Sequence, residues 1–314
     1  MAVPALQIVS REQGNNSALK DGSIHPAGFS FAFEEVPVLV HAFRRMVRTL
    51  EFDVCEMALT TYLCARDHGV PFSGLPIFLK RAFHHGAILH NIKFGLENPK
   101  DLEGQRVGVN RGYTVTAGVW ARGVLQDEYD VDLSKITWVL SGDEHVEKYK
   151  PPENVLSIES GKTIEELLDS GDLAAAINIE SNDPNIQPLI SNPLEAGISA
   201  FKDRGHYPIN HLIVIRDNVI KEHPGVDVAI FNAFAEAKNI YLERLRTGEI
   251  ENPTSVDELH LRMMELMGDP LPYGIEPNHA VLENLLTNAK AQKILRQPIE
   301  IESVFAKDTL ELTA

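Results

Sequence analysis

A short apolar segment that ends in acidic and thiol side chains, and runs at once into a helix, constrains this fold most strongly. Residues 52–63 read FDVCEMALTTYL, which predicts a buried strand that stops near Glu56 and continues as a helix. The same order recurs at residues 106–114 (RVGVNRGYT) and 174–180 (AAAINIE). Ligands of open α/β sheets collect at the carboxyl ends of strands. The chain is therefore predicted to be an α/β protein with a ligand pocket at these strand ends.

The overall charge narrows the class of partner. The 314 residues include 29 basic and 45 acidic side chains, which give a formal net charge of −16. Such a surface repels phosphate backbones and anionic lipid, so nucleic acid and membranes are not expected partners. If the ligand is itself an anion, a local cluster of Arg, Lys or His must override the field of the whole molecule.

The lack of a recognisable export signal in the first residues and the cysteine usage favour a cytoplasmic protein. The first residues, MAVPALQIV, carry no basic region, no long apolar region and no small-residue cleavage site, and they predict a first strand. No apolar run reaches the roughly 20 residues that a spanning helix needs. Cys55 and Cys64 are the only cysteines and have no metal or redox spacing. We also expect a homo-oligomer, because acidic cytoplasmic proteins of this size are often oligomers, most of them built from identical chains.

Alternating strand and helix patterns divide the chain into two lobes. Lobe 1 is predicted to comprise residues 1–104 and 212–314, and lobe 2 residues 105–211, with the ligand cleft between them. The chain would cross near the polar turn at 101–105 and return near 205–210. Residues 82–92 are predicted to form a strand, and residues 163–166 a helix-capping box. A C-terminal helical run follows, over residues 226–246, 255–267 and 277–295.

Several segments of this chain resemble the 4,5-dihydroxyphthalate decarboxylase family. The segments are FRRM (43–46), EFDVCEM (51–57), GLPIF (74–78), RAFHH (81–85), DLEGQRVG (101–108) and YPINH (207–211). The resemblance covers most of the chain, and the FDVCEM and YPINH blocks are the most specific parts of it. It implies the type 2 periplasmic-binding-protein fold, in which two α/β lobes are joined by two crossover segments.

The resemblance implies a non-oxidative decarboxylation of 4,5-dihydroxyphthalate to protocatechuate (3,4-dihydroxybenzoate), a step of bacterial phthalate degradation. A hydroxyl para to the departing carboxylate loses its proton and pushes electron density onto the ring carbon that carries the carboxylate. Protonation of that carbon gives a dienone, and loss of CO2 restores aromaticity. The site must then supply a base, an acid and cationic groups for two carboxylates. This route demands no organic cofactor.

The candidate acid/base residues are histidines and glutamates near the predicted crossings and strand ends. They are His84, His85, His211, Glu56 and Glu180. His84 and His85 would point to opposite faces of a strand, so only one would face the cleft, and either could be a hydrogen-bonded core histidine. Glu180 could instead cap a helix. His211 is preferred to His206 because it lies in the YPINH block.

The candidate substrate-binding residues come from the same strand ends and crossings. They are Arg81, Arg111, Tyr113, Thr114, Thr116, Asp53 and Tyr207. Residues 111–114 open a helix, whose free N–H groups and dipole form the best anion site in the sequence. The threonines could equally be helix caps, Tyr113 a packed aromatic, Arg81 an ion-paired residue and Asp53 a brace for the turn.

Three alternatives stay open from the sequence. The chain could be a non-catalytic solute-binding protein of the same fold for an aromatic acid, since fold does not dictate function. It could decarboxylate a related hydroxylated aromatic acid. A divalent metal is possible, and Glu56, His84, His85 and His211 would then be its ligands, although their spacing gives no support.

Overall fold

The computed structural model describes residues 3–314 and contains two β-sheets flanked by helices. The strands are β1 (Ala5–Val9), β2 (Ser30–Phe33), β3 (Val54–Ala58), β4 (Phe72–Arg81), β5 (Ile88–Asn91), β6 (Arg106–Val109), β7 (Thr137–Leu140), β8 (Val155–Ser157), β9 (Ala175–Ile177), β10 (Ile186–Pro188) and β11 (Ile209–Arg216). The α-helices are α1 (Ser17–Lys20), α2 (Leu39–Thr49), α3 (Leu59–Asp67), α4 (Thr116–Tyr129), α5 (Ile164–Ser170), α6 (Pro193–Arg204), α7 (Asp217–Glu222), α8 (Val226–Thr247), α9 (Ser255–Met267) and α10 (His279–Ala291).

The sheet order separates two lobes and confirms the predicted α/β class. The first sheet has the order β2-β1-β3-β11-β4, and the second has the order β10-β5-β9-β6-β7-β8. In the first sheet, β1, β2 and β3 are parallel, whereas β11 is antiparallel to both β3 and β4. The carboxyl ends of β1, β3 and β4 and the amino end of β11 therefore lie along one edge. This edge faces the second lobe.

The chain passes between the sheets once well before the predicted place and once at the predicted place. Strand β5 already belongs to the second sheet, and β11 belongs to the first. The first crossing therefore lies at residues 82–87, and not near 101–105, whereas the return crossing at 205–208 falls within the predicted segment 205–210. The predicted strand over 82–92 is also corrected, because a 3-10 turn at His85–Ala87 precedes the short β5. The ten-residue strand β4 was not predicted as a strand; its burial on almost every position hides the alternation that signals one.

Local sequence explains the elements that border the cleft. Helix α2 buries Leu39, Ala42, Phe43, Met46 and Val47, a stripe with helical spacing, and ends where Leu50 takes a left-handed conformation with φ of 51°. All five residues of β3 are buried, as expected of a strand covered on both faces. The chain then turns directly into α3, with Ala58 as the last extended residue.

The helices of the C-terminal run join the two lobes. The predicted helix at 255–267 is confirmed, and its capping box is formed by Thr254 and Asp257. Helix α10 and the residue after it contact α4 of the second lobe, where Arg122 donates to the Gln292 amide oxygen over 2.8 Å. The capping box of α5, between Thr163 and Glu166, is also as predicted. Across residues 3–314, no helix combines the length and apolar character that crossing a membrane requires.

Candidate active site

A cleft of about 460 Å³ lies between the two sheets, where their strand ends meet. The first lobe contributes Arg11 after β1, Ala58 and Thr61 around the start of α3, Lys80 at the end of β4, and Asn210 and His211 at the start of β11. The second lobe contributes Asn110, Arg111, Thr116, Asn178 and Glu180. The cleft thus occupies the edge that the strand-end pattern predicted. Its volume is in the range of pockets for small molecules.

His211 and Glu56 form a hydrogen-bonded pair at the wall of this cleft. Nδ1 of His211 lies 2.6 Å from Oε1 of Glu56, and Nε2 has no hydrogen-bond partner among residues 3–314. The ring is further held by the edge of Phe43, whose centroid is 5.3 Å from that of His211. A carboxylate on one ring nitrogen fixes the orientation of the imidazole and leaves the other nitrogen for a ligand. This is the geometry of a general acid or base.

The carboxylate of Glu56 is buried yet remains ionised. Its side chain is only 1% exposed. Oε2 accepts hydrogen bonds from the Arg11 backbone N–H over 2.9 Å and from the Ser10 hydroxyl over 3.1 Å. Burial alone would raise the pKa of Glu56, but the bonds from His211, Arg11 and Ser10 outweigh it, so the pKa is lowered. A fixed negative charge therefore stands behind His211.

Three cationic side chains without acidic partners line the cleft. Among the described residues, Arg11, Lys80 and Arg111 make no salt bridge, although the chain carries many others. They lie near each other: the pKa of Lys80 is lowered by burial and by the charges of Arg11 and Arg111, while the charge of Glu56 opposes this shift. Burial and the charge of Arg11 also lower the pKa of Arg111. Mutually repelling cations that make no salt bridge form an anion site, which a dicarboxylate can neutralise.

Lys80, and not the predicted Arg81, provides the cation from β4. Successive side chains of a strand point to opposite faces, so the two neighbours separate. Lys80 borders the cleft. The Arg81 guanidinium is buried and donates to the carbonyl oxygens of Tyr207 and Pro272 and to the Asn278 side chain. Burial lowers the pKa of Arg81 to about 10. Arg81 therefore holds the return crossing against the C-terminal region.

The predicted anion site at the start of α4 is real, but a carboxylate of the protein occupies it. Glu144 accepts hydrogen bonds from the backbone N–H of Tyr113, from the backbone N–H of Thr114 over 3.3 Å and from the Thr114 hydroxyl over 2.6 Å. A Cβ on Gly112 would lie 2.7 Å from the Glu144 carboxylate, so any other residue there would force that carboxylate to shift. Thr114 and Tyr113 are therefore corrected to structural residues. Tyr113 is buried, and the guanidinium of Arg122 lies 3.8 Å from the centroid of the Tyr113 ring.

His84 and His85, the adjacent histidines of the first crossing, contact different parts of the protein. His84 is buried, and its Nε2 lies 2.8 Å from Oδ1 of Asn210, a residue of the cleft. Burial lowers the pKa of His84 to about 4, so the ring is neutral at pH 7 and positions Asn210. His85 is buried outside the cleft and pairs with Glu128 over 2.8 Å. The catalytic prediction for both is corrected, because the segment is a turn in which strand alternation does not apply.

Asp53 and Tyr207 also lie outside the cleft. Asp53 precedes β3, at the sheet edge opposite the cleft, where it pairs with Arg216 over 2.5 Å and accepts from the Gln7 N–H. Tyr207 is 1% exposed and packs on Phe83, with ring centroids 5.0 Å apart. Both are corrected to structural residues.

Thr116 and Glu180 line the cleft as predicted. The Thr116 hydroxyl accepts from the Thr60 N–H over 2.9 Å, which ties the start of α4 to the start of α3. Glu180 is exposed and stands three residues beyond the end of β9. It provides a carboxylate on the second lobe, opposite the first-lobe cations.

The four residues considered for a metal are not brought together. Glu56 touches His211, whereas His84 bonds to Asn210 and His85 to Glu128. Within residues 3–314, no group of three or more His, Cys, Asp or Glu side chains has a metal-binding arrangement.

Sequence reasoning missed the cations and amides that surround the predicted residues. Arg11 lies two residues after the end of the first strand, so the same strand-end pattern could have found it. Lys80 was missed because β4 was not recognised as a strand. Asn110, Asn178 and Asn210 line the cleft, and the first two directly follow strands β6 and β9, within the segments that pointed to a pocket. Nothing in the local sequence distinguishes Asn210 from a polar surface residue.

The fold and the cleft define a class: a two-lobed α/β protein of the type 2 periplasmic-binding-protein fold, with an acid/base pair beside an anion site. The alkanesulfonate-binding protein SsuA from Xanthomonas axonopodis pv. citri superimposes with a TM-score of 0.55 and 13% identity, over 98% of this chain and 99% of that one. No protein-family model matches the chain.

Sequence comparison identifies the family. A 4,5-dihydroxyphthalate decarboxylase from Comamonas testosteroni is 31% identical over 287 residues, 86% of each chain. A second, from Pseudomonas putida, is 35% identical over 143 residues, which are 43% of this chain and 55% of that protein. The chain belongs to the 4,5-dihydroxyphthalate decarboxylase family.

Proposed function

We propose that this protein decarboxylates 4,5-dihydroxyphthalate to 3,4-dihydroxybenzoate, with His211 as the acid that protonates the ring carbon. The observation that carries the proposal is the Glu56–His211 pair beside three cations that have no acidic partner. A solute-binding site needs the cations but has no need of an oriented acid/base group. The family membership supports the same substrate class.

The cleft can hold the two ends of the substrate differently. Arg11, Lys80 and Arg111 neutralise the adjacent carboxylates, which places the carboxylate-bearing carbon on the side of His211. The hydroxyl groups then point away from these three cations, towards Glu180 and the amides of Asn110 and Asn178, which can accept their protons or hydrogen bonds. This arrangement separates the base from the acid, as the para relation of hydroxyl and carboxylate requires.

Each proton transfer of the reaction can then be assigned to one residue of the cleft. Glu180 takes the proton of the hydroxyl para to the departing carboxylate, and the ring carbon takes a proton from Nε2 of the doubly protonated His211, whose Nδ1–H stays bonded to Glu56. The C–C bond to the carboxylate breaks, CO2 leaves, the bond electrons restore the aromatic ring, and the phenolate oxygen takes its proton back from Glu180. Solvent then returns a proton to Nε2 of His211. The balance is one proton consumed and one CO2 released for each turnover. The phenol serves as the electron sink, so we propose that the reaction needs no organic cofactor.

The test is turnover by the chelator-treated protein. The protein is incubated with 4,5-dihydroxyphthalate, and CO2 and 3,4-dihydroxybenzoate are measured by chromatography. We expect turnover without added metal, and a loss of roughly 100-fold or more in kcat for His211→Asn. His25→Asn, at an exposed position, is the matched control. Activity only after a divalent ion is added would replace the metal-free route with a metal-dependent one.

The alternative is a solute-binding protein of the same fold. Tight binding of 4,5-dihydroxyphthalate with no CO2, with or without metal, would favour it over the decarboxylase. Turnover of another hydroxylated aromatic acid in place of 4,5-dihydroxyphthalate would instead correct the substrate. The cytoplasmic location and the homo-oligomer stay predictions.

A further inference from the structure

A second cavity, of about 480 Å³, lies in the first lobe beside the cleft. Its walls come from the segment after β1, the end of β4, helix α8 and the start of α9. Arg11 and Lys80 line both cavities and so form the partition between them. The mechanism proposed above uses only the cleft, which leaves this cavity without a role.

One wall of the cavity carries a hydrogen-bonded chain of three side chains. The Tyr241 hydroxyl donates to Oδ1 of Asp257 over 2.6 Å and lies 2.8 Å from Nδ1 of His260. A hydroxyl has a single proton, so His260 must donate its Nδ1–H to the Tyr241 oxygen. Burial lowers the pKa of His260 to about 4, so the ring is neutral at pH 7. Nε2 is then an acceptor.

That acceptor is available to a ligand. Nε2 of His260 has no hydrogen-bond partner among the described residues, and this atom is not fully buried. His260 itself borders the cavity. An acceptor at the wall of a cavity binds a hydroxyl or another N–H or O–H donor.

Unpaired arginine side chains of this cavity require an anionic group on the same ligand. Arg244 borders the cavity from α8 and makes no salt bridge with the described residues, and Arg11 is equally unpaired. Three acids lie nearby, and none makes a salt bridge with Arg244 or Arg11: Asp257 is engaged by Tyr241 and Thr254, Glu12 stands exposed at the rim, and the charge of Arg244 acts on Asp21 only from a distance. Between these polar ends, Leu79, Ile250 and Val256 supply apolar walls that suit a ring.

We propose that this cavity is a second binding site, for a hydroxylated aromatic carboxylate whose carboxylate meets Arg244 and Arg11 and whose hydroxyl donates to Nε2 of His260. A ligand there shares Arg11 with the cleft. Its binding therefore weakens binding of an anion in the cleft without excluding it, since Arg111 belongs to the cleft alone, and the product of the reaction has the required groups.

The test is calorimetric titration of the full-length protein with 3,4-dihydroxybenzoate, a measurement that needs no turnover. The choice of this probe rests on the proposed function. We expect two molecules bound for each wild-type chain and one for Ile250→Trp, which fills the cavity. Ile240→Trp, on the exposed face of α8, is the control and should keep two.

Two further measurements test the chemistry of the site. Arg244→Ala should weaken the second binding event roughly tenfold, whereas Arg246→Ala, an exposed arginine on the same helix, should not. Benzoate lacks the hydroxyl that His260 would accept, so it should bind this site about tenfold more weakly than 3,4-dihydroxybenzoate.

One molecule bound by the wild type, or two retained in Ile250→Trp, would overturn the proposal. Equal binding of benzoate would overturn the role of His260. Failure of the proposed function would appear separately, as absence of CO2 release while both binding events persist.

Discussion

Replacing Glu56 by Gln tests whether the buried carboxylate positions His211 for proton transfer. Oε2 of Glu56 accepts from the Arg11 N–H and the Ser10 hydroxyl, and Oε1 lies 2.6 Å from Nδ1 of His211. The backbone N–H can only donate, so the single oxygen of Gln must remain there. The amide NH2 then faces Nδ1, which must change from donor to acceptor. Nε2 would carry the proton of the neutral ring, and the fixed charge behind the ring would be lost.

The magnitude follows from the bond that is broken. A hydrogen bond to a charged group contributes about 1.5–3 kcal/mol. If the bond strengthens the reacting form of His211, its loss lowers kcat roughly 10- to 150-fold. KM should change little, since Glu56 is buried and does not border the cleft.

The assay is steady-state CO2 release, with Glu128→Gln as the matched control. Glu128 makes the equivalent contact to His85 over 2.8 Å, outside the cleft, so its removal should leave kcat within about twofold of the wild type. Thermal unfolding of both variants separates a loss of folded protein from a loss of rate. A Glu56→Gln protein that is folded and retains full kcat would refute the assignment of this pair.

Three further predictions concern substrate binding, acid stability and closure of the lobes. Arg111→Ala should raise KM roughly tenfold, measured by initial rates, whereas Arg106→Ala, in a surface ion pair, should not change it. Burial lowers the pKa of His84 to about 4, below its usual value, so stability from this group is present above about pH 6.5 and falls as the pH drops towards 4. Urea unfolding should show a loss of about 1.4 kcal/mol from this group between pH 7.5 and 5.5, absent in His84→Asn; an identical loss in that variant would contradict the account. Arg48 of α2 contacts Asp143, Glu147 and two carbonyl oxygens of the second lobe. Arg48→Ala should therefore favour an open arrangement of the lobes, seen as a larger radius of gyration by small-angle scattering and a KM raised a few-fold. Scattering that is unchanged with and without ligand would count against closure of the lobes.

Much of the fold could be predicted from local patterns. The stripe of α2, the capping box of α5 and the buried run of β3 are each fixed by residues within a few positions of each other. Local patterns also placed the pocket at the right strand ends. They failed at the first crossing, because the sheet membership of β5 depends on its hydrogen bonds to β9 and β10, which are far from it in sequence.

The candidate site was also predictable only in part from local sequence. Glu56 and His211 were both predicted, from a strand end and from a family block, but their contact joins residues 155 positions apart. The anion site at α4 was correctly derived from helix geometry, and its occupation by Glu144 was not foreseeable from residues 111–116 alone. Arg81 has the right charge at the right strand end and is turned away by one position of the strand.

The sequence by itself determined that this is an acidic α/β protein with polar strand ends, and that any anion would need a local group of cations. Those properties depend on composition and on short-range periodicity. Only the tertiary structure decided which of the candidate side chains face the cleft: Lys80 borders it while its neighbour Arg81 is buried in internal hydrogen bonds, and His211 borders it while His84 and His85 are buried. The physical reason is that a side chain is free for a ligand only when no distant part of the chain satisfies its charge or hydrogen bonds, and that is settled by packing.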